Sequence, residues 1–400
     1  MSTPAQTLSG TPRSRPVRPL VERARIGIAF GALALMGVVA GATGVLLPEQ
    51  MAEYGVDKAT IGWTFLAFSV GYIATATANG VLLHRLGVRR HLLVGTLVTL
   101  VAAVALTVPA GIALLLAGQV VLGLGMGVLD AGLNSYLSTL ERSTALLNYH
   151  HAFFGIGALI GPLGAAALID GGLSWHVFFA IFGVAMVLQI GALVAYPRTP
   201  GTREATGPRL GAALALRIVL ILAAFLGVYV GVEASVGNWA FSYLTEDRGK
   251  AVLAAGWAVS GYWGGLTLGR LTLNAAAERV GLSLARLTAI CIGGVGIASL
   301  AVWLLPSAVA VTVSLVVLGF FLGPLFPTTI AVVPRLVPAD LVHTAIGMLV
   351  ATSIAGGATL PLLVGVSAEQ VGLWSLLPWA AAGAAGMSVL WWRIARRLAV

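Results

Sequence analysis

The chain has 400 residues, 58% of them hydrophobic and only 9% charged, where a soluble globular chain carries about 25% charged residues. With a mean hydropathy of +0.97, too little polar material is present for the surfaces of a soluble multidomain enzyme or for a disordered chain. The net charge of +9 is spread over many short segments, which does not fit a nucleic-acid face on a soluble module. The single cysteine, Cys291, excludes an intrachain disulfide and a cysteine-based metal site. Neither lysine, Lys58 or Lys250, stands in a phosphate-cradling Gly-rich loop.

A hydrocarbon core needs about 20 apolar residues per helix. Twelve such stretches follow one another, over 26–48, 60–83, 91–109, 112–140, 146–169, 175–196, 213–244, 252–276, 285–305, 308–333, 342–367 and 372–394. The arginines ahead of the first (Arg13, Arg15, Arg18, Arg23, Arg25) resemble a signal-peptide start. No small-residue cleavage site follows, so a retained first span is expected. With the N-terminus placed inside, 20 of the 23 basic residues fall on inner segments, Arg270 counted among them; Lys58, Arg248 and Lys250 fall outside. That bias predicts a multi-pass protein of the plasma (inner) membrane with both termini cytoplasmic, its arginines meeting lipid headgroups.

In chain order, the first polar feature is the short loop after span two, Gly80 to Arg90. Span four carries Asp130, with Asn134 one turn away on the same face. A turn at Glu141-Arg142 makes spans four and five a hairpin, which brings His150 and His151 close in depth to Asn134 and Asp130. After span six comes the long polar interior segment, 197–212. The expected organisation is therefore a tail over 1–25, a six-helix bundle over 26–196, a cytoplasmic linker over 197–212, a second bundle over 213–394 and a tail over 395–400. The bundles resemble each other. Gly71 through Arg85-Leu86-Gly87 aligns with Gly265 through Arg279-Val280-Gly281, and His150 falls at nearly the same offset from His343. Span seven holds Tyr229 one turn from Glu233, then Asn238 and Trp239; span eight holds Trp263 and Arg270. Gly323-Pro324 and Pro327 predict a kink in span ten.

Of fourteen acidic residues, Asp130 and Glu233 are the two that fall inside spans rather than in loops, tails or span ends. Their distances from Leu140 and Leu244 put them ~15 Å and ~16 Å from the nearer face at 1.5 Å per residue, near the middle of a core about 30 Å thick. A carboxylate there is costly and is a functional candidate by default. Beside a histidine such as His151 it can load and release a proton, so Asp130, Glu233 and His151 are the proton-coupling candidates. Asn134, Tyr229, Asn238, Trp239 and Trp263 are the candidates for lining a solute site, the tryptophans by stacking on an apolar sugar face. No nucleophile–base pair, metal-ligand cluster or cofactor loop appears, so no enzyme activity, metal or cofactor is expected.

The loop Gly80-Val-Leu-Leu-His84-Arg85-Leu86-Gly87-Val88-Arg89-Arg90 resembles the pattern G-x-x-x-D-[RK]-x-G-x-[RK]-[RK] of the major facilitator superfamily, with six of seven specified positions matched and His84 in place of the acid. The resemblance extends over essentially the whole chain. It implies an all-α membrane protein of twelve transmembrane helices in two pseudo-symmetric six-helix halves. It also implies an inner gate at His84, Arg85, Arg89 and Arg90, with Arg270 assigned to the same gate. Gly123 to Asn134, His151 to Gly157, Tyr229 to Trp239, Tyr262 to Arg270 and Gly323 to Pro327 further resemble the fucose-permease-like sugar/proton symporters. Those symporters carry an acid in span one as well as in span four. The span-four acid matches Asp130, whereas span one here has none before Glu49.

Two transport readings follow. One is a proton-coupled symporter of a small polar solute, sugar favoured, working as a monomer by alternating access between the halves. The other is a proton-driven exporter of drugs or metabolites, since Gly157-x-x-x-Gly161-Pro162 resembles the antiporter motif of span five. Ala165 and Ala166 replace that motif's last glycines, and Gln119 stands where drug antiporters carry an arginine. A receptor or scaffold would have no use for buried acids.

Overall fold

The computed structural model describes residues 19–140, 142–195 and 210–398. The linker at 197–209 and the tail arginines Arg13, Arg15 and Arg18 lie outside them. The helices are α1 (Pro19–Tyr54), α2 (Lys58–Ile61), α3 (Trp63–Ala105), α4 (Ile112–Leu137), α5 (Ser143–Asp170), α6 (Trp175–Ala195), α7 (Leu210–Leu214), α8 (Arg217–Ser242), α9 (Val252–Arg279), α10 (Leu284–Leu304), α11 (Ala308–Leu322), α12 (Leu325–Leu336), α13 (Val342–Val371) and α14 (Leu376–Leu398). No strand occurs among the described residues, as expected where lipid cannot satisfy an open sheet edge.

Ten helical segments are long and apolar enough to cross a membrane. The twelve expected spans are recovered once two features are read. The 48-residue segment Lys58–Ala105 is two spans, because Gly87 breaks α3 with φ 69° and ψ 158°. The other is α9, 28 residues long, whose Arg270, Asn274, Glu278 and Arg279 lower its apolarity. Span ten is α11 and α12, interrupted at Gly323 and Pro324 as the proline predicts.

The packing repeats with a shift of six spans. α1 packs on α5 as α8 packs on α13; α3 packs on α4 as α9 packs on α11; α3 packs on α6 as α10 packs on α14. Glycines set the close crossings. A Cβ at Gly71 would collide with the Val120 carbonyl, and one at Gly265 with the Val316 carbonyl. Gly123 and Gly319 sit in the same way against Phe68 and Tyr262. The two loops also match, Gly87 with φ 69° and Gly281 with φ 68°, values costly for any side chain. The histidine part of the repeat does not hold: His150 is fully buried, whereas His343 is exposed.

The two sets of six spans meet along α5 and α9, where Gly155 faces Thr267, Gly264 faces Leu159 and Gly256 faces Ala166. They also meet at the end that carries Lys58. There Gly44 lies against the Asn238 backbone, a Cβ at Gly365 would lie 2.7 Å from the Lys58 carbonyl oxygen, and Phe65 meets Trp239 edge-on. Lys58 Nζ pairs with Glu246 at 3.0 Å, and the Lys58 amide donates to Glu369 Oε2 at 3.1 Å.

Candidate functional site

Asp130 is held by three donor contacts to its residue. The Tyr72 hydroxyl of α3 donates to Oδ2 at 2.5 Å. Asn134 Nδ2 donates to Oδ1 at 2.8 Å and to the Asp130 carbonyl at 2.9 Å. The expected Asp130–Asn134 pairing on one helix face is therefore present. Tyr72 was not in the expected set: its partner lies 58 residues away, and spacing along one helix carries no trace of it. Thr75, one turn on, ties α3 to α4 by donating to the Leu124 carbonyl at 2.9 Å.

Glu233 is the corresponding acid of the other half. The Tyr229 hydroxyl donates to its Oε2, and the Tyr262 hydroxyl of α9 donates to its backbone carbonyl at 2.9 Å. Arg270 Nη2 stands 3.9 Å from Oε2. Arg270 lies within span eight, as expected, but away from the inner loop with which the gate assignment groups it. It lies nine residues before the end of α9, ~13 Å along the axis at 1.5 Å per residue, and it faces Glu233 rather than the Gly87 loop. A deeply set guanidinium needs a carboxylate partner, and Glu233 supplies one.

His151 links the two groups. It lies within electrostatic reach of Asp130 from its own half and of Arg270 from the other. Its neighbour His150 is fully buried against Phe30 of α1, the rings 6.1 Å apart. Tyr72, Asp130 and Asn134 thus form one hydrogen-bonded group, and Tyr229, Glu233, Tyr262 and Arg270 a second in the other half. Tyr229, expected to line a solute site, is fully buried, as is Tyr262.

The remaining expected residues divide. Trp239 is fully buried and donates Nε1–H to the Pro361 carbonyl at 2.8 Å, locking α8 to α13. Asn238 presses its backbone on Gly44 at the Lys58 end. Trp263 lies against Gly237 and is 6% exposed, its Nε1 without a hydrogen-bond partner. In this state Trp239 and Asn238 serve helix packing. Of the loop residues, His84, Arg85 and Arg90 are exposed. Arg89 caps α6 within its own half, Nε donating to the Leu193 carbonyl at 3.0 Å and Nη2 to that of Val194 at 2.6 Å, so it supplies cations to a helix C-terminus.

At the Lys58 end, Asp57 caps α2 by accepting from the Thr60 amide at 2.7 Å, and the Thr60 side chain first, then that amide bond, hold its carboxyl below the usual range. Partial burial lowers Lys250, whose ammonium bonds the Ala308 carbonyl and the Thr312 hydroxyl. A surface pocket of about 490 Å³ at this end is lined by Glu49, Glu53 and Trp175. Neither polar group lines it, and Glu53 is already committed to Trp175 Nε1 at 2.6 Å and His176 Nε2 at 3.0 Å.

Two sets of six spans with repeated packing, each carrying one carboxylate inside a span, match a transporter architecture. The profile of the Major Facilitator Superfamily matches residues 29–251, and the chain belongs to that family: it is an integral multi-pass membrane transporter, not an enzyme. It is 26% identical over 377 residues to Bypass of stop codon protein 6 of Saccharomyces cerevisiae, covering 82% of this chain and 74% of that protein. It is 25% identical over 381 residues to the glucose/galactose transporter of Brucella abortus, covering 87% and 89%. Among solved structures it resembles the nucleoside transporter NupG, with a TM-score of 0.76 at 15% identity over 94% of this chain and 99% of that one. The E. coli fucose:proton symporter FucP gives a TM-score of 0.64 at 15% identity over 92% and 97%.

Proposed function

We propose that this protein is a proton-coupled symporter of a small polar solute, with sugar the favoured class, carrying it by alternating access in the plasma membrane with both termini cytoplasmic. The observation that carries the reading is the Tyr72–Asp130–Asn134 group in one half and the Glu233–Arg270 pair in the other, with His151 within electrostatic reach of Asp130 and Arg270. A single carboxylate deep in the bilayer, with a titratable ring beside it, provides a site where one proton changes the charge that must cross. Full-length similarity to a glucose/galactose transporter supports a sugar. With the Lys58 end outside, the Lys58–Glu246 pair and the Lys58–Glu369 bond close the outer mouth, and the molecule is in an inward-facing state. Protonation of Asp130 removes a buried charge and, with solute bound, permits the halves to rock.

Export is the weaker reading. Gly157 and Gly161 press on the Ala34 and Val38 carbonyls of α1, so close α1–α5 packing accounts for the antiporter-like glycines. The deciding measurement is uptake into proteoliposomes under an imposed proton gradient, with a sugar panel that includes glucose and galactose. Gradient-driven accumulation by wild type and its loss in Asp130→Asn are expected. Undiminished gradient-driven uptake by Asp130→Asn rejects the coupling assignment, and dye extrusion without sugar uptake reverses the direction.

A further inference from the structure

The Arg270 guanidinium is only partly satisfied by the protein. A saturated arginine–carboxylate pair is bidentate, with N–O distances of about 2.7–2.9 Å. Arg270 makes one contact to Glu233, at 3.9 Å; the near oxygen of Glu233 is already taken by the Tyr229 hydroxyl, and Arg270 also hydrogen-bonds that tyrosine. Its Nε points instead to the Gly323 carbonyl at 3.4 Å. That carbonyl is available for a covalent reason. Its helical partner would be the amide of residue 327, and Pro327 has none. The glycine allows the approach, since a Cβ at Gly323 would lie 2.5 Å from the Arg270 amide nitrogen. The break in span ten therefore orients Arg270 from behind by one weak bond. Five N–H donors are present on a guanidinium, and the Arg270 side chain is 23% exposed against 15% for Glu233. The Arg270 side chain lies within electrostatic reach of His151 on α5.

We propose that Arg270 receives a carboxylate of the transported solute, so that the solute is a small hydroxylated acid, such as a sugar acid, rather than a neutral sugar. This rests on the reading of the Asp130 and Arg270 groups as the transport site. The bidentate fork fits a carboxylate, and a second anion completes the neutralisation that Glu233 begins at 3.9 Å. Half-buried Tyr72 and Asn134 supply a hydroxyl and an amide suited to the hydroxylated part. The proposal also ties binding to the proton. His151 is within electrostatic reach of both Asp130 and Arg270, so an anionic solute at Arg270 is favoured once Asp130 carries a proton.

The test is binding to the purified full chain in lipid nanodiscs, by calorimetry and by thermal shift, with matched pairs: glucuronate and glucose, gluconate and glucitol, glycerate and glycerol. At least one acid is expected to bind tenfold or more tighter than its neutral partner. Because Arg270→Gln alone strands Glu233 and threatens folding, the charge-matched double variant Arg270→Gln/Glu233→Gln is measured beside it and is expected to lose the preference for the acid. Neutral members binding as well as the acids overturn the proposal and leave the transport reading standing. Retained acid preference in the double variant overturns it as well. No binding by either series rejects both the acid and these groups as a small-solute site.

Discussion

Lys58 Nζ stands 3.0 Å from the Glu246 carboxylate, an ion pair that joins the first six spans to the last six. The same residue's amide donates to Glu369 on α13, so one position holds two elements of the opposite half. The partly exposed pair contributes modestly, within about 0.2–1 kcal/mol. Reversing its charge adds repulsion from Glu246 and Glu369 together.

Lys58→Glu is expected to move the population toward the state open at this end. A change of about 1 kcal/mol corresponds to about a fivefold shift. Spin labels at Thr60→Cys and Val371→Cys, with Cys291 replaced by serine, read the separation directly. A distance distribution unchanged by Lys58→Glu removes the latch role, and Glu246→Lys in the same chain is expected to restore part of the closed population.

The capping bond at Asp57 makes this end sensitive to acid. Its carboxyl is held low chiefly by the hydrogen bond from Thr60. A depressed carboxyl stabilises at and above the unfolded value of about 3.9 and loses that contribution as pH falls through the lower folded value. Amide exchange across α2, corrected for its intrinsic pH dependence, is expected to accelerate below about pH 4. Asp57→Asn keeps a capping group and is expected to flatten the pH dependence; Asp57→Ala is expected to lose protection at every pH.

The repeat and the loops were legible in the sequence because they impose backbone demands that only certain residues meet. Gly87 and Gly281 hold positive φ, and Gly71 and Gly265 admit the carbonyls of a crossing helix. Both demands select one residue type, so the 194-residue offset survives. The His150–His343 match carried no such demand, and the two have opposite exposure. The acid site was half legible. Depth along a helix follows from counting residues, and that found Asp130 and Glu233. Rotation about the helix does not follow from counting, so Tyr72 and Tyr262 were missed and Trp239 was placed at the solute. Arg270 was grouped with the loop arginines by its side of the membrane, although nine residues of helix separate it from the end of α9. That depth was itself the signal.

The glycine crossings have a stability consequence. Gly71→Val and Gly265→Val each force a side chain into a backbone carbonyl, at a cost of about 3 kcal/mol at the upper end for overpacking. Both variants are expected to lower the detergent melting temperature and the monodisperse yield by similar amounts, as the matched crossings require. Gly191→Ala, where a Cβ meets nothing within 4 Å, is the control and is expected to hold or raise the melting temperature through helix propensity.

Arg85 and Arg89 separate gating from capping. Arg89 is spent on the Leu193 and Val194 carbonyls of its own half, where bonds from a charged donor contribute at most about 1.5–3 kcal/mol each net of water. Arg85 is exposed and free to meet the opposite half when the Gly87 end closes. Arg89→Gln is therefore expected to lower thermal stability and leave the ratio of the two states unchanged. Arg85→Gln is expected to leave stability unchanged and deplete the state closed at the Gly87 end, which would use that cation. Melting curves and the Thr60–Val371 label distances, taken on both variants, decide it. If Arg89→Gln redistributes the states while the melting temperature holds, the cap is incidental and Arg89 is the gate residue.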